Sequence, residues 1–435
     1  MNIKNLISLD NPFRLLYHKL RAITANFLYG FPSKGMTIIG VTGTNGKTTC
    51  SNIIAKGLRE AGKKVFLFST VNIIIGDKEY TNHTKMTSPD AFDLQRYLKQ
   101  AKEEGCEVAV IETASHGIKM HRNWGIDYDI AVLTNITQDH LDLHKTMHDY
   151  VHTKLELFKN LIRYKRKPGV KKTAIINAES DYKELFLEET YDTLYIYGND
   201  EKANLKATQV KQNINGMTFN VIGAGVSIQV KTQLIGEFNI QNILASIGVF
   251  ISFGFKPEQI EKAINGIVGI PGRMEEIKNL EGYKIIVDYA HTADALENVL
   301  STLNKLEGIG KIHTVFGATG DRDKTKRPIM GEIVSRMSDV VILTEDDDYS
   351  EKVEEIIKDV LPGIGRKEGE DFWIINNRRE AIRTALVTAE KNDIILIAGK
   401  GDEHVMVTNK GHVTWHDKTV IEEILEEIDQ HKMIH

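Results

Sequence analysis

The sequence predicts an α/β protein built on a doubly wound sheet, with a second α/β unit following it. Two observations carry that prediction. Apolar runs of strand length alternate with amphipathic stretches of helical length, the pattern of βαβ units. Glycine, hydroxyl and charged residues collect just past the carboxyl ends of those runs, at 42–49, 112–116 and 134–144. Open α/β sheets bind their ligands at that edge. At 435 residues the chain is long enough for two or three domains. It divides into a helical leader over 1–35, a central unit over 36–270 and a C-terminal unit over 271–435.

Taken in order, residues 13–29 are amphipathic with basic residues on one side. They read as a helix packed on the domain, the alternative being a helix lying in a membrane interface. Strands follow at 36–41, 65–69, 108–112, 130–135 and 173–177, with helices at 51–61, 91–104 and 150–163. Residues 190–235 show short β segments separated by Gly and Asn turns, a small antiparallel addition. Helices are predicted at 240–253 and 257–265, then a linker at 269–273. The second unit is Rossmann-like, with strands at 284–288, 312–316, 340–344 and 394–398.

Composition narrows the function classes. The chain is 41% hydrophobic and 26% charged with a net charge of -5, ordinary for a globular protein and too acidic for nucleic acid as a main partner. Cys50 and Cys106 are its only cysteines, which excludes a disulfide framework and suits a reducing cytosol. No apolar run reaches membrane-span length and no signal-peptide pattern opens the chain. A cytoplasmic monomer acting on small molecules is expected.

The first strand runs into Gly43, Thr44, Asn45, Gly46, Lys47, Thr48 and Thr49, and a helix follows. Strand, glycine loop and helix N-terminus make an anion site, because unpaired backbone N–H groups and the helix dipole point at bound phosphates. Lys47 supplies a point charge for the β and γ phosphates and the Thr48 hydroxyl a Mg²⁺ ligand. Val41 stands where the commonest P-loop has its first glycine. A nucleoside triphosphate is the expected ligand. After a later strand, Asp139, His140, Asp142 and His144 crowd together, and Glu112 ends another strand. Oxygen and imidazole donors of this kind can share a divalent cation. Each of these residues alone would more often be a loop residue or an N-cap.

In the second unit, the loop at 317–328 carries arginines able to hold a carboxylate bidentately. Glu345, Asp346, Asp347, Asp348 and Glu403 are expected to converge at one sheet edge and to suit an ammonium-bearing ligand.

These motifs together resemble the Mur ligases, ATP-dependent amide-bond ligases of cell-wall precursor synthesis, and most of all their UDP-N-acetylmuramoyl-tripeptide synthetase branch. The resemblance covers roughly residues 36–430 and rests on the loop at 43–49 and the segments 87–90, 112–117, 139–144, 236–242, 272–275, 288–292 and 320–323. It implies that Lys47 and Thr48 hold ATP phosphates and Mg²⁺, that Glu112 and His140 ligate Mg²⁺, and that Asn135 belongs with the catalytic residues. It implies that Asn242 reads the adenine, with Arg273, Asp288 and His291 closing on the nucleotide. Lys154 matches a family lysine that is carbamylated. Thr87, Ser88, Ser115 and Arg122 fall in acceptor-contacting segments. Arg322 matches the holder of the amino acid's α-carboxylate and Glu403 the holder of its amine, with Asp346, Asp347 and Gly399 beside them. The implied reaction passes through an acyl phosphate.

Three departures from the family pattern concern the substrates. The usual N-terminal domain that grips the uridine nucleotide has no counterpart in the leader. Ala114 and Met120 stand where the acceptor motif has Ser and Gln. Members that add meso-diaminopimelate carry Asp-Asn-Pro-Arg in the amino-acid loop, where this chain has Asp346, Asp347, Asp348 and Tyr349. Without that arginine, a diamino acid with a simple ammonium end, L-lysine or ornithine, is expected. The competing readings are a folylpolyglutamate-synthetase-like ligase, an amino-acid-polymer ligase and, from another class, a non-catalytic ATP-binding subunit.

Overall fold

The computed structural model describes residues 11–84, 86–139 and 141–434. It divides into two compact units. One comprises the chain up to Lys211 with Met217–Gln233 and Glu237–Val268, and the other Gln212–Gly216, Leu234–Gly236 and the chain from Gly269.

The first unit opens with α1 (Pro12–Tyr29), then β1 (Thr37–Thr42) and α2 (Lys47–Glu60). Helix α2 begins at Lys47 rather than at the predicted 51, because Gly46 takes φ +81° and turns the chain straight from loop into helix. A three-strand meander follows: β2 (Val65–Phe68), β3 (Asn72–Ile75) and β4 (Lys78–Thr81). The last two strands were not expected; β3 runs back antiparallel on β2, and a tight turn at Gly76, φ +60°, folds β4 antiparallel on β3. Then come α3 (Ala91–Glu103), β5 (Val108–Glu112), α4 (Ser115–Lys119), β6 (Ile130–Leu133), α5 (Leu141–His144), α6 (Met147–Arg163), β7 (Thr173–Asn177) and α7 (Lys183–Leu187).

Strands β8 (Thr193–Tyr197), β9 (Leu205–Asn213), β10 (Gly216–Gly223) and β11 (Val226–Thr232) precede α8 (Glu237–Ser252) and α9 (Pro257–Asn265). The addition at 190–235 is antiparallel only in its outer part. β8 pairs parallel with β7 and β9 parallel with β8, while β10 and β11 pair antiparallel. It is therefore an extension of the main sheet, covering the otherwise unpaired edge of β7. The result is one eleven-stranded sheet of order β11-β10-β9-β8-β7-β6-β1-β5-β2-β3-β4.

Burial explains the layers. Phe66, Phe68, Leu94, Leu98, Leu157 and Phe158 join one core between sheet, α3 and α6. α2 and α8 pack closely, and a Cβ on Gly57 would lie 2.4 Å from the Phe250 ring. Helix α1 is a packed helix, but its bulky apolar stripe is not the face that packs. Ala22, Ala25 and Asn26 are buried, Asn26 Nδ2 donates to the Trp124 carbonyl at 2.7 Å, and Arg21 pairs with Asp90 at 2.9 Å. Phe13, Leu16, Leu20 and Phe27 remain exposed. Small residues are buried because they let the helix axis approach its neighbours. No helix of the described residues is long and apolar enough to cross a membrane.

The second unit holds β12 (Glu275–Ile277), β13 (Lys284–Asp288), α10 (Ala293–Asn304), β14 (Ile312–Phe316), α11 (Lys326–Met337), β15 (Val340–Leu343) and α12 (Val353–Val360). β16 (Phe372–Ile374), α13 (Arg378–Thr388), β17 (Ile394–Ala398), the hairpin β18 (Val405–Thr408) and β19 (Gly411–Thr414), and α14 (Asp417–Ile434) complete it. Its sheet runs β12-β13-β17-β14-β15-β16, parallel except for β12. Separate apolar clusters built on Leu296, Leu300 and Val334, and on Ile285, Ile382 and Ile421, contribute to its core.

Candidate active site

Register builds the nucleotide site of the first unit. β1 lies between β5 and β6, with Val41 opposite Glu112 and Thr42 opposite Leu133. Glu112 therefore ends beside the start of the glycine loop on one flank, and Thr134 and Asn135 step out beside it on the other. The Asn135 side chain accepts from the Asn45 N–H at 2.9 Å and donates to the Asn45 carbonyl at 3.1 Å, while Thr134 Oγ1 donates to that carbonyl at 2.7 Å. Asn135 thus braces the loop. A Cβ on Gly43 would stand 1.9 Å from Thr134 Oγ1, and one on Gly46 would stand 2.3 Å from Asn242 Oδ1, so both positions require glycine.

Lys47 Nζ donates to the carbonyls of Gly43 at 3.1 Å and Thr44 at 2.5 Å. Lys154, buried on α6, donates to the same Gly43 carbonyl at 2.7 Å and lies 4.3 Å from the Tyr150 ring centroid. Burial, then the Lys47 charge, hold the Lys154 amine well below the usual lysine range. Tyr150 OH in turn meets Thr44 Oγ1 at 3.0 Å.

The Thr48 hydroxyl donates to Glu112 Oε1 at 2.9 Å, and Thr70 reaches Glu112 through its N–H at 2.7 Å and its hydroxyl at 3.1 Å. A hydroxyl and a carboxylate meeting at the start of α2 are oxygen donors suited to Mg²⁺, so the predicted pair Thr48 and Glu112 fits that ion. His140 lies outside the described residues. His144 does not join this group. Its ring is buried, Nδ1 lies 3.4 Å from Thr153 Oγ1, and the ring packs edge-on against Tyr150 and His116. Asn242 is buried on α8 beside the glycine loop, with Nδ2 donating to Asn239 Oδ1 at 3.2 Å.

The acceptor candidates form one strip. Thr87 Oγ1 lies 2.9 Å from Thr70 Oγ1, Ser88 Oγ accepts from the Ala114 N–H at 3.0 Å, and Arg122 Nη1 donates to the Ser88 carbonyl at 2.8 Å. Ser115 is buried at the start of α4.

In the second unit, loops leave β13, β14, β15 and β17 at their carboxyl ends. Asp288 is committed to its own backbone, accepting from Met274 N–H at 2.7 Å and Ala290 N–H at 2.8 Å, and burial raises its pKa. Arg273 lies over the Tyr289 ring at 4.4 Å, and His291 packs edge-on to the same ring at 4.5 Å. Exposed Arg322 lies over the Tyr349 ring at 5.1 Å.

The acidic loop differs from expectation. Asp347 and Glu403 are paired from within the chain by Lys400, a residue the sequence reading passed over. Lys400 is fully buried and donates to Asp347 Oδ1 at 2.8 Å and to Glu403 Oε2 at 2.7 Å, with Asp346 Oδ1 at 3.9 Å. Those carboxylates hold its ammonium above the usual range despite burial. One ammonium among three carboxylates offsets part of the cost of burying them and leaves the group net negative. Gly399 lies so close to Asp346 that a Cβ there would meet Oδ2 at 2.5 Å. Glu403 Oε1 accepts from the Tyr289 hydroxyl at 3.4 Å.

Comparison with known proteins bears on both units. The family model described as Mur ligase middle domain matches residues 41–250, and the one described as Mur ligase, glutamate ligase domain matches 272–401. A UDP-N-acetylmuramoyl-L-alanyl-D-glutamate--2,6-diaminopimelate ligase of Clostridium botulinum is 38% identical over 412 residues, 94% of this chain and 82% of the relative. One of Geobacillus kaustophilus is 39% identical over 418 residues, 95% and 84% of the two chains. A solved structure of a ligase of that name is 31% identical, with TM-score 0.62 over 91% of this chain and 79% of its own. A folylpolyglutamate synthase of Mycobacterium tuberculosis superimposes with TM-score 0.71 over 87% of this chain and 91% of its own at 18% identity, a likeness of fold alone.

Proposed function

The chain belongs to the Mur ligase family, and from that premise we propose that it joins a diamino acid to a muramoyl-dipeptide acceptor in peptidoglycan precursor synthesis, with ATP converted to ADP and phosphate. The observation that carries this reading is the glycine loop with Lys47, Thr48, Glu112, Asn135 and Lys154 gathered on it. An acceptor carboxylate oxygen attacks the γ-phosphorus as the bond to ADP breaks. The amino acid's neutral amine then adds to the acyl carbon, and phosphate leaves with the electron pair of the broken C–O bond while the amine sheds a proton. Lys47 would exchange its two carbonyl partners for the phosphate oxygens, placing a cation where charge develops. Mg²⁺ held by Thr48 and Glu112 would neutralise phosphate charge.

Lys154 supports the carbamate reading. A neutral buried amine can add to CO₂, forming an N–C bond and releasing a proton. The carbamate keeps an N–H for the Gly43 carbonyl and brings an anion to the loop. On the amino-acid side, Arg322 is the α-carboxylate holder and Glu403 the amine holder.

Tyr349, in place of an arginine, favours an amino acid with a simple ammonium end, L-lysine or ornithine. The names of the relatives favour diaminopimelate, the second reading. An amino-acid screen by mass spectrometry decides between them, run with ATP and UDP-N-acetylmuramoyl-L-alanyl-D-glutamate or its UDP-free analogue. Lysine or ornithine is expected to be joined faster than diaminopimelate, and the reverse order overturns that choice. No amide and no phosphate release with any amino acid would overturn the ligase reading itself.

A further inference from the structure

The hairpin of β18 and β19 and the start of α14 bring together three side chains that the ligase chemistry does not use. Asp402 Oδ1 lies 3.2 Å from His416 Nε2 and 3.9 Å from His404 Nε2. The two imidazoles are stacked at 4.1 Å with 19° between their planes, and the ligand atoms of all three residues lie within 4.8 Å of one another. Each is partly exposed, so an ion can reach them.

The arrangement is held from behind. The Trp415 N–H donates to the His404 carbonyl at 3.1 Å, one rung beyond the Val405–Thr414 pair, which fixes the two histidines on opposite arms of the hairpin base. Trp415 Nε1 donates to Asp417 Oδ1 at 2.8 Å, and Asp417 is clamped by Arg378 at 2.8 and 2.7 Å. His416 Nδ1 lies 2.9 Å from Thr419 Oγ1. With the Nδ1 proton given to that hydroxyl, Nε2 turns its lone pair towards Asp402, the outer-shell bond by which metal-binding histidines are oriented.

We propose that Asp402, His404 and His416 form a binding site for a zinc-class divalent cation, distinct from any nucleotide-bound Mg²⁺. Two imidazole nitrogens and one carboxylate oxygen are a borderline donor set that suits Zn²⁺ and disfavours Mg²⁺, whose ligands are oxygens. Three protein ligands leave a fourth position open to water. Because the stacked rings set their lone pairs nearly side by side, closing the set around an ion requires the partly exposed His404 ring to leave the stack and turn towards Asp402. Binding there ties the end of the 399–403 loop to the hairpin base.

The test is isothermal titration of the full chain, stripped with chelator, with Zn²⁺ in excess Mg²⁺ and without nucleotide or amino acid. It is therefore independent of the ligase reading. A single equivalent of Zn²⁺ is expected, lost in His404→Gln and weakened about 10–100-fold in Thr419→Val. Co²⁺ substituted into the wild-type chain is expected to give a visible d–d band that Asp402→Asn removes, which serves if His404→Gln misfolds. No Zn²⁺ bound by the wild-type chain, or an equivalent unchanged in His404→Gln and Asp402→Asn, overturns the site.

Discussion

Two lysines share one carbonyl oxygen at Gly43, and that contact shapes the chemistry at the residue scale. Two ammonium groups so close repel, and burial, then the Lys47 charge, lowers the Lys154 pKa and makes its proton the easier of the two to lose. Lys154→Ala is expected to lower amide formation about 10²–10³-fold, the size of a lost transition-state electrostatic partner. Phosphate release assays check this, and an unimpaired rate would sink the carbamate reading. His144 is a second buried titratable group of the same region. Burial and the Lys119 charge outweigh Asp149 and push its imidazole down to about 4 from 6.5. Between those values the unfolded chain binds a proton that the folded chain refuses, so stability rises with pH through that window. Acidification from 6.5 to 4 should lower the urea midpoint, and His144→Gln should flatten that slope. The placement of Lys47 on the glycine loop was legible in sequence because loop, lysine and hydroxyl are neighbours along the chain. The burial of His144 was not, because its neighbours Tyr150 and His116 meet it only through packing.

At the scale of elements, strand register did what spacing along the chain could not. Apolar runs announced β1, β5 and β6, but only their side-by-side pairing sets Glu112 and Asn135 on opposite flanks of one loop. Helix α1 shows the converse limit. Its amphipathic pattern was plain in sequence, yet the buried face is the one with Ala22 and Ala25. A stripe of bulky apolar residues does not identify the buried face when close helix packing selects for small side chains. Leu16→Ser and Leu20→Ser are expected to change unfolding free energy by no more than about 0.5 kcal/mol. Ala25→Leu, forced into the packed face, should cost about 1–3 kcal/mol. Urea denaturation of the three variants checks the contrast, and equal losses in all three would mean the helix packs otherwise.

For the whole molecule, the residues of the two chemical half-steps belong to different units. The phosphate-site candidates lie in the first unit, and the amino-acid candidates Arg322, Gly399 and Glu403 lie in the second. Variants of the second unit should therefore spare activation of the acceptor. Arg322→Ala is expected to raise the KM for the amino acid about tenfold or more while hydroxylamine still traps the acyl phosphate, since one charged carboxylate contact contributes about 1.5–3 kcal/mol. Loss of trapping in that variant would contradict the division of labour. The sequence by itself determined the α/β class, the triphosphate loop and the family, because these rest on periodicity and on residues adjacent in the chain. Tertiary structure alone decided which charges stay open to a ligand. Lys400 reaches Asp347 across 53 positions of sequence and pairs with one carboxylate of an acidic loop that, read linearly, looked unpaired. Burial makes such pairing obligatory, and burial is a property of the packed chain.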